Sequence, residues 1–213
     1  MALAAVYPFF HQTHSGLLRR LPNAPAPPRA DQKAIFMNAH TPVASPTLAP
    51  ELPDASLAFR AAMRKLAGAV SVLTVGTGDE RTGLTATSVT SLSVEPPTLL
   101  IAVNRGSSSF APLLKERNFA INVLRPHHQP IADQFAGKGG LKGPERYQGA
   151  DWTRLTTGAP VLADALAAFD CELEDAIERH SHVIVIGRVV ASRITESAQP
   201  LLYWAGGYRG LAD

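Results

Sequence analysis

The sequence predicts a mainly β domain with short helices, closed as an antiparallel barrel. From residue 54 onward the chain breaks into short runs rich in Val, Ile, Leu and Thr, separated by Gly, Pro, Asn and Asp turn signals. The stretches with helical period are few and short. They do not alternate regularly with the strands as a doubly wound parallel sheet requires, so a mostly antiparallel barrel with helical insertions fits best.

Taken in order, "SLAFRAAMRKLAG" (56–68) sets Leu57, Met63 and Leu66 near one helical face, with Ser56 as the expected N-cap and Gly68 as the expected stop. "AVSVLTVG" (69–76) reads as a strand and "GDE" (78–80) as a turn. "TGLTATSVTSLS" (82–93) reads as a second strand, broken by Pro96-Pro97 before a third, "TLLIAVN" (98–104). Residues 107–117 read as a helix and "NFAINVL" (118–124) as a strand. "HQPIADQFAG" (128–137) is a helix with proline near its first turn, and "GKGGLKGPER" (137–146) is a glycine-rich loop. "AAFDCELEDAIE" (167–178) alternates, with Phe169, Cys171 and Leu173 inward and Asp170, Glu172 and Glu174 outward. "HSHVIVIGRVVASRI" (180–194) is a long strand, and "PLLYWAGGYRGL" (200–211) ends the chain as a strand and turn.

Residues 1–53 differ in kind. They hold nine of the 17 prolines and read as a disordered Pro/Ala-rich tail ahead of a single domain over 54–213. Four of the 20 Lys/Arg and two of the 18 Asp/Glu lie in that tail, so 54–213 carries 16 of each sign. A neutral domain argues against a nucleic-acid footprint, which needs a basic face. Cys171 is the single cysteine, which rules out an internal disulfide or a thiolate metal cluster and fits a reducing compartment, so the cytoplasm is expected. No run reaches the roughly 20 apolar residues of a membrane helix.

Common catalytic signatures are absent. "GTGDER" and "GKGGLK" both miss the third glycine of G-x-G-x-x-G, and no Walker loop, G-x-S-x-G elbow, HExxH or CxxC occurs. His180 and His182 would share one face of a strand, but no third ligand accompanies them, so no metal is expected. His127-His128, at a helix start, read as surface or capping residues.

One segment is unusual. "GLTATSVTSLSVEPP" (83–97) carries Thr85, Thr87, Ser88, Thr90, Ser91 and Ser93, with no charge until Glu95. Two readings stay open: an edge or interface strand in which threonine supplies β propensity, or a bed of small side chains on which a flat heterocycle reaches the backbone.

Several segments, in order, resemble the short-chain flavin reductase family, the reductase partners of two-component flavin-dependent monooxygenases. They are "FRAAMRKLAGAVSVLTV", "GLTATSVTSLSVEPPTLLIAVNRGSSS", "FAINVLRPHHQPIADQFAG", "RYQGADW", "GAPVLADALAAFDCELED", "HVIVIGRV" and "PLLYWAGGYR". The resemblance covers Phe59 to Leu211. It implies a Greek-key split β-barrel that binds FMN or FAD as a homodimer. It also implies NADH or NADPH as hydride donor, and reduced flavin leaving for a separate monooxygenase. Carried over residue by residue, Thr85, Ala86, Thr87 and Ser88 would hold the flavin ring edge, with Ser91 further along. Val103, Asn104, Arg105, Ser108 and Ser109 would hold ribityl and phosphate, and Phe135 would pack on the flavin. No side chain is expected to act as a catalytic acid, base or nucleophile, because the two cofactors bring the hydride chemistry themselves. The family often carries Gly-Asp-His before its long strand, associated with the nicotinamide. Here His180-Ser181-His182 stands there, so His182 is the expected nicotinamide contact. Two rivals share the implied barrel: a non-catalytic flavin carrier or sensor, and an oxidase of the pyridoxine-phosphate type.

Overall fold

The computed structural model describes residues 54–196 and 198–211; the expected tail over 1–53 lies outside the described residues. Seven antiparallel strands form the main sheet: β2 (Ser71–Val75), β3 (Thr82–Ala86), β4 (Thr90–Val94), β5 (Pro97–Asn104), β6 (Asn118–Val123), β9 (Ala167–Arg179) and β10 (His182–Ile194). Their order across the sheet is β3-β2-β6-β9-β10-β5-β4. The end strands β3 and β4 are joined by Thr87, Ser88 and Val89 alone. Four Cα steps reach at most about 14 Å, so the two ends of the sheet must curl toward each other. This is the split barrel that the resemblance implies.

The single strand expected over 82–93 is therefore two. β3 pairs with β2 while β4 pairs with β5. Hydrophobic pattern could not reveal the break, because small hydroxyl residues run through it without a change of period.

Leu73, Val75, Ile101, Val103, Phe119, Ile121, Cys171 and Val185 fill the barrel interior. Burial pushes the Cys171 thiol up to about 12, with the nearby Asp170 charge adding to the shift, so the thiol stays protonated. A second core lies on the other face of the sheet. There Val72 and Ala120 meet Ile131 and Phe135 of α3 (Gln129–Phe135), Tyr147, and Val161 and Leu162 of β8 (Pro160–Leu162). β8 pairs with β7 (Trp152–Arg154). β2 is buried along its whole length because it is covered on both faces. That double burial is why its sequence does not alternate with charged residues, and why its buried Thr74 hydroxyl is satisfied by the Pro160 carbonyl at 2.5 Å.

Four local expectations are corrected. The first helix, α1 (Ala55–Met63), is capped by Asp54, whose side chain accepts from the Ser56 N–H at 3.1 Å. It stops at Arg64, and Gly68 belongs to the short strand β1 (Gly68–Ala69). Asp170 faces away from the barrel interior but is fully buried, because the 155–160 segment folds over it and the Thr157 N–H and hydroxyl donate to its carboxylate. His180 sits in the β9–β10 turn with a left-handed φ of 53°, so it does not share a strand face with His182.

β1 pairs with β11 (Leu202–Trp204), which forms a hairpin with β12 (Gly207–Arg209). α2 (Phe110–Glu116) follows the serine-rich turn after β5.

A candidate flavin site between two adjoining cavities

Two cavities adjoin at Thr85 and Ala136, which line both. The first, of about 650 Å³, has Ala86 and Thr87 on one side and Tyr203, Tyr208 and Arg209 of the C-terminal hairpin on the other, with Lys138 nearby. The second, of about 710 Å³, has a net positive lining: Arg81, Lys142 and Arg146 outnumber Asp79 and Glu80, the latter paired with Lys115 at 3.0 Å, and meet Gly106, Ser107 and Ser108 across it, with Phe135 in its wall.

The chain positions these groups by short-range packing. Arg146 is fixed by donating to the carbonyls of Gly83 (2.5 Å) and Leu141 (3.0 Å). Arg81 lies over the Tyr147 ring at 4.8 Å, and its buried Nε has no hydrogen-bond partner. A buried guanidinium N–H without an acceptor is costly, and in a cationic cavity it fits an anionic oxygen from a ligand. Burial pushes the Tyr147 phenol well above its ordinary value, so it stays a neutral hydroxyl and donates to the Thr82 carbonyl at 2.5 Å.

A flavin reductase like domain model matches residues 63–212. The chain belongs to the flavin reductase family. It is 46% identical to FMN reductase (NADH) RutF 2 of Methylorubrum extorquens (strain PA1) over 76% of this chain and 92% of that one. Among solved structures, it is similar to the NADH:FAD oxidoreductase SgcE6 of Streptomyces globisporus C-1027, at 29% identity and a TM-score of 0.69, covering 76% of this chain and 96% of that one. It is also similar to the styrene monooxygenase flavin reductase of Pseudomonas putida S12, at 30% identity and a TM-score of 0.64, covering 72% and 97%. This flavin reductase is an enzyme of the NAD(P)H:flavin oxidoreductase class, whose cofactors are a flavin and a nicotinamide donor.

The reductase fold brings together some of the residues expected from sequence. Thr85, Ala86, Thr87, Ser108 and Phe135 line the two cavities. The Thr85 hydroxyl is already committed, donating to the Ala132 carbonyl at 2.7 Å. Phe135 is 2% exposed and packs edge-on to Tyr147 at 4.9 Å. The others line neither cavity. Ser88 laces the β3–β4 link to β5: its hydroxyl donates to the Ala102 carbonyl at 3.1 Å and accepts the Ala102 N–H at 3.3 Å. Ser91 is on β4 opposite Leu99, and the Val103 side chain points into the barrel core. Asn104 accepts the Gly106 N–H at 2.8 Å, and Arg105 pairs with Glu178 at 3.3 Å. Ser109 is buried against the Thr82 hydroxyl at 3.2 Å. His182 is exposed, with Nδ1 2.9 Å from the Ser181 hydroxyl.

Sequence reasoning missed Arg81, Lys142 and Arg146 as well as Tyr203 and Tyr208. The one legible signal was a glycine-rich loop, 137–146, that also carries Lys138, Lys142 and Arg146.

A separate cluster joins His127, His128 and Asp164, whose ligand atoms lie within 4.8 Å of one another. It satisfies itself. His128 Nδ1 accepts the Arg125 N–H at 3.1 Å, which leaves the proton on Nε2 to donate to Asp164 at 3.0 Å. A cation would have to displace that proton and strand two donors against each other, and Arg125 Nη1 already lies 3.8 Å from the same carboxylate. The buried His128 is thus a cap, whereas His127 is the exposed residue of the pair.

Burial holds the His128 pKa below its ordinary value, against the pull of Asp164. Partial burial raises the Asp164 pKa, but the bonds from His127 and His128 outweigh it and leave that pKa lowered. Both folded-state values lie below the unfolded ones, so both contributions to stability are present at neutral pH and fade as pH falls. That of His128 fades first, from about pH 6.5 downward. The reductase is expected to lose Tm between pH 7 and pH 5, and His128→Gln to lose less over the same interval. Equal losses in a thermal-melt series would count against this account.

Proposed function

We propose that this reductase takes FMN and NADH, works as a homodimer in the cytoplasm, and releases reduced flavin to a separate flavin-dependent oxygenase. The observation that carries the reading is the buried, partnerless Arg81 Nε in a cavity that also holds Lys142, Arg146 and Ser108. This donor set fits a flavin phosphate. Thr85, Ala86 and Thr87 then form the bed for the ring, because their small side chains allow a flat heterocycle close to the main chain. The names of the relatives favour FMN with NADH, although one similar reductase is named for FAD. The single cysteine supports the cytoplasm, as does the lack, among the described residues, of a helix long and apolar enough to cross a membrane.

Flavin supplies the hydride-accepting chemistry when bound. The chain contributes three things. Arg81, Lys142 and Arg146 hold the anionic end. The backbone of 85–87 orients the ring. Tyr203 and Tyr208 wall the first cavity and restrict water where a second ring would stack.

A homodimer would cover β4, an end strand whose Leu92 and Val94 side chains are exposed, Val94 at 79%. A second copy is the natural cover for an apolar sheet end.

The test is steady-state NADH and NADPH oxidation with FMN, FAD and riboflavin added in turn, beside light scattering at micromolar protein. Fastest turnover with NADH and FMN, from a dimer, is the expected result. Flavin bound without nicotinamide oxidation would point to a carrier. Turnover without nicotinamide would point to an oxidase.

A further inference from the structure

We propose that Arg64, which touches neither cavity, is a positioning residue that sets the width of the first cavity through the C-terminal hairpin. The inference rests on reading that cavity as the entry for the hydride donor. The hairpin β11–β12 has three residues in each strand. Hairpins of that size are marginal in water; β1 holds β11 through Gly68–Tyr203 and Ala69–Leu202, so the turn and β12 depend on further outside bonds. Its inner residues Tyr203, Gly206, Gly207 and Tyr208 face Thr85–Thr87 across the first cavity.

Arg64 grips the hairpin turn twice. Its Nη2 donates to the Ala205 carbonyl at 2.9 Å, and its own carbonyl accepts the Ala205 N–H at 3.0 Å. The next residue repeats the attachment, with the Lys65 carbonyl accepting from Trp204 Nε1 at 3.2 Å. The turn needs the support. Ala205 has a left-handed φ of 53°, and Gly206 lies at φ 87°, where a side chain is strained and a methyl, 2.5 Å from Arg64 Nη2, would push the guanidinium off the turn. From the other side, Lys138, paired with Asp133 of α3 at 2.7 Å, lies over the Tyr208 ring at 5.8 Å. The hairpin is therefore slung between Arg64 and Lys138, and α1, which buries none of its residues, serves as the outer mooring. Loss of the Arg64 grip lets the Tyr203 and Tyr208 wall swing outward. The cationic second cavity contains no hairpin residue and keeps its shape.

The test compares the full chain with Arg64→Ala and Arg64→Lys, with Gly206→Ala as a second way of displacing the turn. Arg64→Ala should raise KM for NADH by up to about tenfold, the value of one lost hydrogen bond read as affinity. The FMN dissociation constant should stay within about twofold. Hydrogen exchange over 202–209 should quicken while Tm holds. Gly206→Ala should give the same signature, and Arg64→Lys should recover part of the loss. An unchanged KM for NADH overturns the role of Arg64. So does a KM that rises only in step with flavin affinity and Tm, since that marks general destabilisation. A parent chain that oxidises no NADH with added FMN overturns the functional reading instead.

Discussion

Replacing Arg81 by alanine is expected to raise the FMN dissociation constant by roughly 10- to 150-fold, the worth of one charge-assisted hydrogen bond, while riboflavin binding changes little. The guanidinium is anchored over Tyr147 at 4.8 Å and leaves Nε buried with no acceptor. A phosphate oxygen would satisfy that N–H, and riboflavin has none to offer. Lysine restores the charge but not the planar fork, so Arg81→Lys should fall between the two. Flavin fluorescence titrations with FMN and riboflavin, side by side, decide the matter. Equal weakening of both ligands would mean that Arg81 supports the cavity wall and does not read the phosphate.

Gly83→Ala is expected to cost about 3 kcal/mol of folding stability, the upper end for overpacking a well-filled core. A methyl group at this position would press on the Leu73 carbonyl and come within 2.6 Å of Phe135 Cε1. Neither neighbour can retreat. Leu73 belongs to the fully buried strand β2, and Phe135 is backed by Tyr147 at 4.9 Å and Trp152 at 5.6 Å. Chemical denaturation gives the number. Adding Phe135→Leu to Gly83→Ala should recover part of the loss, because the shorter side chain vacates the space. A Gly83→Ala chain as stable as the parent would show that the α3–β3 contact is looser than its distances imply.

How far the sequence was legible depended on whether an element's environment is written in its own residues. β5, β6, β9 and β10 carry strong apolar patterns and appear where expected. The strand break at Thr87–Val89 left no local mark, since it is imposed by which partner each half finds. Asp170 looked like a solvent-facing acid because the segment that buries it lies about a dozen residues earlier in the chain. The site was half legible. Thr85–Thr87 stood out as a run of small residues beside a barrel core. Arg81, Lys142 and Tyr208 looked like ordinary surface residues, because only the fold brings the 78–82 turn, the 137–146 loop and the last hairpin around one place. Arg105 shows the converse: a basic residue in the expected motif pairs with Glu178 instead of lining either cavity.

The three-residue link between β3 and β4 also bears on the order in which the molecule folds. The β9–β10 hairpin is local, with 13 residues in each strand, and can form before distant segments meet. β5 must find β10 across about eighty residues of intervening chain, while β2 must find β6 across about forty. Neither pairing alone brings β3 and β4 together. The link from Thr87 to Val89 reaches its final path only after both long searches are complete, when Ser88 can lace onto Ala102. Folding dominated by such late, non-local closure is slow. Exchange protection at the Ala102 amide should accordingly be among the last to appear in a refolding time course, well after protection within the β9–β10 hairpin.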